Sequence, residues 1–139
     1  MAEEARATLV WEAGLRFAAH SGSGHTVTMD SPGRPGHAGP SPIEQLLIAL
    51  AGCTGMDVVA ILEKMREPIA GLEIEVRGER RDQNPKHLTA VALTYRVRGA
   101  VSREKVGRAV ELSHTTYCAV LASLRPDCKV ATTIEVVEG

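Results

Sequence analysis

Aromatic side chains are nearly missing from this chain: Trp11, Phe17, Tyr95 and Tyr117 are the whole set. That excludes the base-stacking platforms of single-strand nucleic-acid binders. Neither sign of charge is in excess, with 16 basic against 17 acidic side chains and a net charge of −1, so no global field points to nucleic acid. No Cys-x-x-Cys pair occurs, which removes thioredoxin-type motifs and zinc ribbons. No long hydrophobic run occurs either. The charge-free stretch Gln45 to Met56 is shorter than the ~20 apolar residues a bilayer span needs. The first twenty residues carry Glu3, Glu4, Arg6, Glu12 and Arg16 and no apolar signal-type segment. These absences lead us to expect a cytoplasmic protein with neither a nucleic-acid nor a membrane partner.

What is present is ordinary globular material. The 139 residues are expected to form one domain, residues 1–139, burying roughly 70% of the surface the unfolded chain exposes. With 44% apolar residues and so few aromatics, its core must be built from Val, Leu, Ile and Ala. In a cytoplasmic setting the three cysteines are expected to be reduced, catalytic or buried rather than stapled together.

Periodicity predicts an α+β domain in the order β-β-β-α-β-β-α-α-β. Ala7 to Trp11, Leu15 to Ala18 and His25 to Met29 read as short strands, the first two joined by Glu12-Ala-Gly14. Ser31 to Pro42 packs four prolines and three glycines into twelve residues and is a loop. Ser41 then caps a helix, with Pro42 at its first position and Glu44 in its first turn. That helix is apolar on nearly every face from Ile43 to Ala51 and should be buried all round. It continues through Gly52 and Gly55, which suggest close approach of another backbone or a kink, and ends before Pro68. Leu72 to Arg80 and Thr89 to Val97 alternate as a hairpin around the turn Gln83-Asn-Pro85. Ser102 caps a helix from Arg103 to His114, a second helical segment runs from Cys118 to Leu124, and Lys129 to Val137 closes as a strand. One amphipathic helix and two small sheets leave part of the long helix uncovered, so a homodimer with shared central helices is expected.

Cys53 lies in the apolar helix between small residues, and Cys118 follows 65 residues later in a second helical segment. A thiol so placed is either an inert core residue or a nucleophile in a dry pocket. A second thiol at long range is what a two-cysteine redox cycle would need. Spacing alone leaves both readings open. Cys128, after Pro126-Asp127, falls in a turn and is taken as incidental. His114 and Cys118 are four apart and could chelate a metal on a helix, but two ligands do not make a site. His20, His25 and His37 read as solvated loop residues, and Glu79-Arg80-Arg81-Asp82 as a solvated strand end.

The segments Gly39-Pro-Ser-Pro-Ile-Glu-Gln-Leu-Leu47, Ala51-Gly-Cys-Thr-Gly-Met-Asp-Val-Val59 and Leu112-Ser-His-Thr-Thr-Tyr-Cys118 resemble the OsmC/Ohr family of organic hydroperoxide reductases. Gly78-Glu-Arg-Arg81 and Asn84-Pro85 extend the likeness, which is nearest to the OsmC-like subgroup. The resemblance implies an intertwined homodimer with two active sites at the subunit interface. It also implies reduction of organic hydroperoxides to alcohols without haem, flavin or metal, in oxidative stress defence. Cys53 matches the peroxidatic cysteine and Cys118 the resolving one, with a cellular dithiol as reductant. The family also uses an Arg–Glu pair beside the thiolate. Glu44 is the acid nearest its pattern here, and Arg16, in the second expected strand, is our choice of arginine, which no motif places. Glu44 departs from the pattern of the studied peroxidases, because Ile43 and not the acid follows Pro42, a change of about 100° around the helix.

Peroxide reduction needs a thiolate, and burial alone would raise the Cys53 pKa, so a cation or donor must stabilise the anion. A guanidinium suits that role because it stays protonated and can orient the peroxide oxygens. A wall of Ile43, Leu46, Leu47 and Leu50 would favour alkyl hydroperoxides over hydrogen peroxide. The alternative is an OsmC-like small-molecule-binding or redox-sensing protein with little peroxidase activity. Hydrolysis by a Cys–His pair lacks an identifiable base.

Overall fold

The computed structural model describes residues 3–138, which are α+β and follow the expected order of elements. The chain divides into two compact units, Met1–Leu46 and Leu47–Gly139. In the first, β1 (Ala7–Ala13), β2 (Arg16–Ser21) and β3 (Thr26–Met29) form an antiparallel sheet in sequential order. The β1–β2 register shifts at a bulge between Trp11 and Ala13, and β1 and β2 each extend further than the sequence suggests, β2 running on to Ser21. His20 therefore sits within a strand rather than a loop, though exposed, its ring nitrogen 3.1 Å from Thr26 Oγ1. The Pro/Gly-rich loop is held at its root by Asp30, whose carboxylate accepts N–H bonds from Ser31 (2.8 Å) and Ala38 (2.9 Å).

The long helix α1 (Pro42–Lys64) opens with a reciprocal cap. The Glu44 amide donates to Ser41 Oγ (3.2 Å), and the Ser41 amide donates back to Glu44 Oε1 (2.9 Å). This capping box satisfies two of the amides that a helix start leaves orphaned. The helix runs unbroken through Gly52 and Gly55. Nothing approaches Gly52, and what crowds Gly55 is a side chain: a Cβ built there would lie 2.9 Å from Ile74 Cδ1. The expected close backbone and kink are thus replaced by one packed isoleucine. Nor is the helix buried all round, since within the chain Ile48 and Ala49 are exposed and Leu50 is sealed. By length and composition α1 could cross a membrane. Its Val58 and Leu62, however, sit in the core of the second unit.

That core lies on one face of a three-stranded sheet, β4 (Gly71–Arg80), β5 (Leu88–Arg98) and β6 (Lys129–Val137), with β5 central. β5 pairs antiparallel with β4 and parallel with β6. Val91, Leu93, Tyr95 and Val97 alternate inward along β5 and are at most 2% exposed, the period-2 pattern of a strand with one buried face. Leu93, Tyr95 and Val97 share one cluster with Val58 and Leu62 of α1 and Val106, Ala109 and Val110 of α2 (Arg103–Leu112). Each such side chain stabilises the fold by about 1.5–3 kcal/mol. On the outer face Arg96 spans Glu73, Glu75 and Glu135 across the strands.

Ser102 caps α2 as expected, accepting from the Lys105 amide. The helix does not reach His114. It ends at Leu112 and passes into a π-helical turn, Ser113–Tyr117, closed by the Cys118 amide donating to the Ser113 carbonyl (2.8 Å). Such single turns are frequent at functional sites. The following helix α3 is only Ala119–Ala122, with Cys118 as its N-cap rather than its first residue.

Gly99, just after β5, has φ +139°, and a Cβ there would lie 2.9 Å from the Pro68 carbonyl oxygen. Gly99→Ala is expected to lower the unfolding free energy by about 1–3 kcal/mol. Urea denaturation at unchanged m-value measures this, and a loss below about 0.5 kcal/mol, the usual range of a surface change, would contradict the geometry.

Candidate active site

Every group of the candidate site lies within the second unit. Cys53, Thr54 and Asp57 occupy successive turns of α1, Ser113, His114 and Cys118 come from the π turn and its end, and Tyr95 rises from β5. Cys53 Sγ, Cys118 Sγ and a carboxylate oxygen of Asp57 lie within 4.8 Å of one another. Both thiols are free. Cys118 is buried, whereas Cys53 and Asp57 are half-buried. The two cysteines singled out by sequence are therefore brought together, and Asp57, one helical turn beyond Cys53, joins them. Spacing i, i+4 from Cys53 was the signal available for it.

Beneath the thiols runs a chain of hydrogen bonds through fully buried hydroxyls. Ser113 Oγ donates to Asp57 Oδ2 (2.9 Å), and Thr54 Oγ1 lies 2.8 Å from both Ser113 Oγ and Tyr95 OH. Tyr95 OH lies 2.8 Å from His114 Nε2. Each hydroxyl has one proton to give. With the carboxylate accepting from Ser113, Thr54 must donate to Ser113 and Tyr95 to Thr54. The Tyr95 oxygen is then left to accept from His114, whose neutral ring carries its proton on Nε2. His114 is thereby turned to Tyr95 and not to Cys118, so the metal chelate suggested by their spacing does not form. Thr54, Tyr95 and Ser113 were not identified from sequence, because their partners lie 19 to 59 residues away.

Burial pushes the Tyr95 phenol up to about 12. Desolvation lowers the His114 pKa below its ordinary value, in keeping with a neutral ring. Burial likewise raises the Cys118 thiol. The Leu121 amide, which donates to its sulfur at 3.4 Å, works against that rise, and neighbouring Cys53 adds to it.

Arg16 and Glu44 belong to the first unit. Arg16 Nε pairs with Glu12 Oε1 at 3.2 Å. Glu44 is held by Ser41, whose amide bond lowers its carboxyl pKa. A groove of about 420 Å³ is lined by Asp57, Ile61, Lys64, Arg108, Leu112 and Tyr117 among others. None of Ile43, Leu46, Leu47 and Leu50 lines it, and Leu50 is sealed in the interior. Cys128 sits apart, half-buried in its turn as expected.

Fold and paired thiols together mark a known class. A family model for OsmC-like proteins matches residues 34–133. Protein YhfA of Escherichia coli K12 is 38% identical over 133 residues, covering 95% of this chain and 98% of its own. The chain belongs to the OsmC-like family. Among solved structures, a hypothetical protein from Aquifex aeolicus VF5 superposes with a TM-score of 0.90 at 28% identity, covering 99% of each chain. The organic hydroperoxide resistance protein OhrB of Bacillus subtilis shares the fold at a TM-score of 0.69 and 19% identity, covering 96% of this chain and 98% of its own.

Removing the Tyr95 hydroxyl tests the network. Tyr95→Phe should cost about 1–3 kcal/mol by leaving Thr54 short of a partner, and should release the Nε2–H tautomer of His114, visible in long-range proton–nitrogen NMR. An unfolded tyrosine ionises near pH 10, whereas Tyr95 holds its proton to about 12. Its contribution is therefore whole below pH 10 and fades as pH rises towards 12. Wild type should lose stability more steeply than Tyr95→Phe across that window; parallel curves would sink the assignment.

Proposed function

We propose that this protein is a cytoplasmic, thiol-dependent reductase of organic hydroperoxides acting in oxidative stress defence. The observation that carries the reading is the convergence of Cys53 and Cys118 to within 4.8 Å from distant parts of the chain. Membership of the OsmC-like family supports it, as does the shared fold of proteins named for organic hydroperoxide resistance.

The Cys53 thiolate attacks the distal peroxide oxygen, the O–O bond breaks, and the leaving alkoxide takes a proton to become the alcohol. Cys53 is left as a sulfenic acid. The Cys118 sulfur then displaces water from it to form a disulfide, and a cellular dithiol restores both thiols by exchange. Half-buried Cys53 is the more accessible sulfur and suits first attack, whereas buried Cys118 suits the resolving step. The thiolate-stabilising pair is assigned to Glu44, from the family pattern, and to Arg16, which no motif places.

A homodimer belongs to the same proposal. Met56 is 75% exposed on α1, Tyr117 59% on the π turn, and β1 is exposed at every position. Apolar surface of this kind marks a partner. A second reading, an OsmC-like small-molecule-binding or redox-sensing protein with little turnover, is favoured by one observation. Arg16 and Glu44 already have partners in Glu12 and Ser41.

Steady-state reduction of cumene hydroperoxide with a dithiol separates the two. Cys53→Ser should abolish turnover, and Cys118→Ser should allow one oxidation per chain and then stall at the sulfenic acid. The peroxidase reading is falsified if Cys53→Ser turns over at the wild-type rate. Stoichiometric disulfide formation without turnover would select the sensor. Light scattering should return twice the 14.8 kDa chain mass, and a monomer would remove the shared-interface part of the proposal.

A further inference from the structure

Three metal-ligating atoms converge beside one another: two cysteine sulfurs and one carboxylate oxygen. The set is built in, not a chance of surface side chains. Cys53 and Asp57 are one turn apart on the same rigid helix. Cys118 is fixed at the junction between the π turn and α3, with its amide tied to Ser113. The carboxylate is oriented from behind by Ser113 Oγ on Oδ2, and Ser113 is itself held by Thr54 and Tyr95. Metal-binding carboxylates characteristically carry such outer hydrogen bonds. Neither Lys64 nor Arg108, the cationic side chains of the groove beside Asp57, belongs to the trio of ligand atoms.

From this geometry we propose that Cys53, Asp57 and Cys118 form a binding site for a thiophilic divalent cation, of which Zn²⁺ is the best-matched, and that its occupation withholds the cysteine pair from oxidation. Thiolates select soft or borderline ions, and zinc accepts a mixed sulfur–oxygen set without redox chemistry of its own. Around a tetrahedral zinc, ligand atoms 2.0–2.3 Å from the metal stand about 3.5–3.8 Å from one another. The observed separations, within 4.8 Å, require side-chain closure of about 1.3 Å at most. Three protein ligands leave the fourth position to water. On binding, each thiol gives its proton to solvent and no electron moves, so the step needs no oxidant or reductant. Half-buried Cys53 and Asp57, the latter lining the groove beside α2, provide the way in. His114 takes no part, because its Nε2 is bonded to Tyr95.

Cation binding requires only reduced thiols, so it stands independently of hydroperoxide turnover. The test is an anaerobic titration of the reduced full-length protein with Co²⁺ as spectroscopic probe, followed by Zn²⁺ displacement. The expected result is one cobalt per chain, with a thiolate-to-cobalt charge-transfer band and the ligand-field spectrum of a tetrahedral site. Cys53→Ser and Cys118→Ser should each reduce the band and weaken binding at least about tenfold, Asp57→Asn should do the latter, and Ser113→Ala should weaken it about 10- to 100-fold. Cys128→Ser should bind as wild type does. A second readout needs no variant: one equivalent of Zn²⁺ should slow alkylation of Cys53 and Cys118 at least about tenfold while leaving Cys128 unprotected. The site is overturned by a wild-type titration lacking the charge-transfer band, by a band that persists undiminished in both cysteine variants, by wild-type affinity in Asp57→Asn, or by equal alkylation rates with and without zinc.

Discussion

Thr54 has one proton to donate and one oxygen with which to accept, and both are used inside the core, towards Ser113 and Tyr95. Those bonds tie α1 to the central strand β5 and to the π turn at a single point. Because all three hydroxyls are buried, each would cost on the order of 1–3 kcal/mol if left unpaired. Sliding α1 by one turn, or restoring the π turn to a regular α-helix, would orphan at least one of them. The network therefore specifies how helix and turn register against each other, a task the interchangeable aliphatic contacts of Val58, Leu62 and Val110 perform less strictly. Among the described residues no buried side-chain nitrogen or oxygen lacks a partner.

The same register places the sulfurs. Cys53 precedes Thr54 and Cys118 ends the turn that Ser113 begins, so locking Thr54 against Ser113 brings two thiols together that are far apart in the chain. Asp57 anchors the far end of the network through Ser113 and faces the thiols as well. Hydrogen bonding and sulfur placement are thus two consequences of one arrangement. A mutation in the hydroxyl chain acts on the thiols through position, with no direct contact required.

Much of this was legible from residue order wherever the signal is local. The Ser41 cap, the run of α1, the alternation of β5 and the Ser102 cap all depend on neighbours within a few positions, and each stands where periodicity put it. Cys53 and Cys118 stood out because cysteine is scarce. The π turn was not legible, since one extra residue in a helical turn leaves no period of its own, and Ser113 and His114 are held by Thr54 and Tyr95, 59 and 19 positions away. Parallel pairing of β6 with β5 was hidden for the same reason: alternation shows that a strand exists but not which neighbour it takes. Glycine was misleading in the helix, because the sequence cannot say whether the space it leaves is empty, as at Gly52, or filled by Ile74, as at Gly55.

Charge decides how the trio behaves. Burial and neighbouring Cys53 oppose a thiolate at Cys118, and two thiolates with the Asp57 carboxylate within 4.8 Å would gather negative charge in one place. Three outcomes relieve that accumulation. A guanidinium can lend a positive charge to one thiolate, which is what hydroperoxide attack requires. A disulfide removes both thiolates and leaves the carboxylate alone. A divalent cation neutralises two charges at once and is the only one of the three that favours both thiolates together. These outcomes compete for the same two sulfurs, so whatever raises the occupancy of one lowers the others. A protein with this geometry in the presence of a sulfur-seeking cation would show a peroxide response set by how much of its thiol pair the cation leaves free.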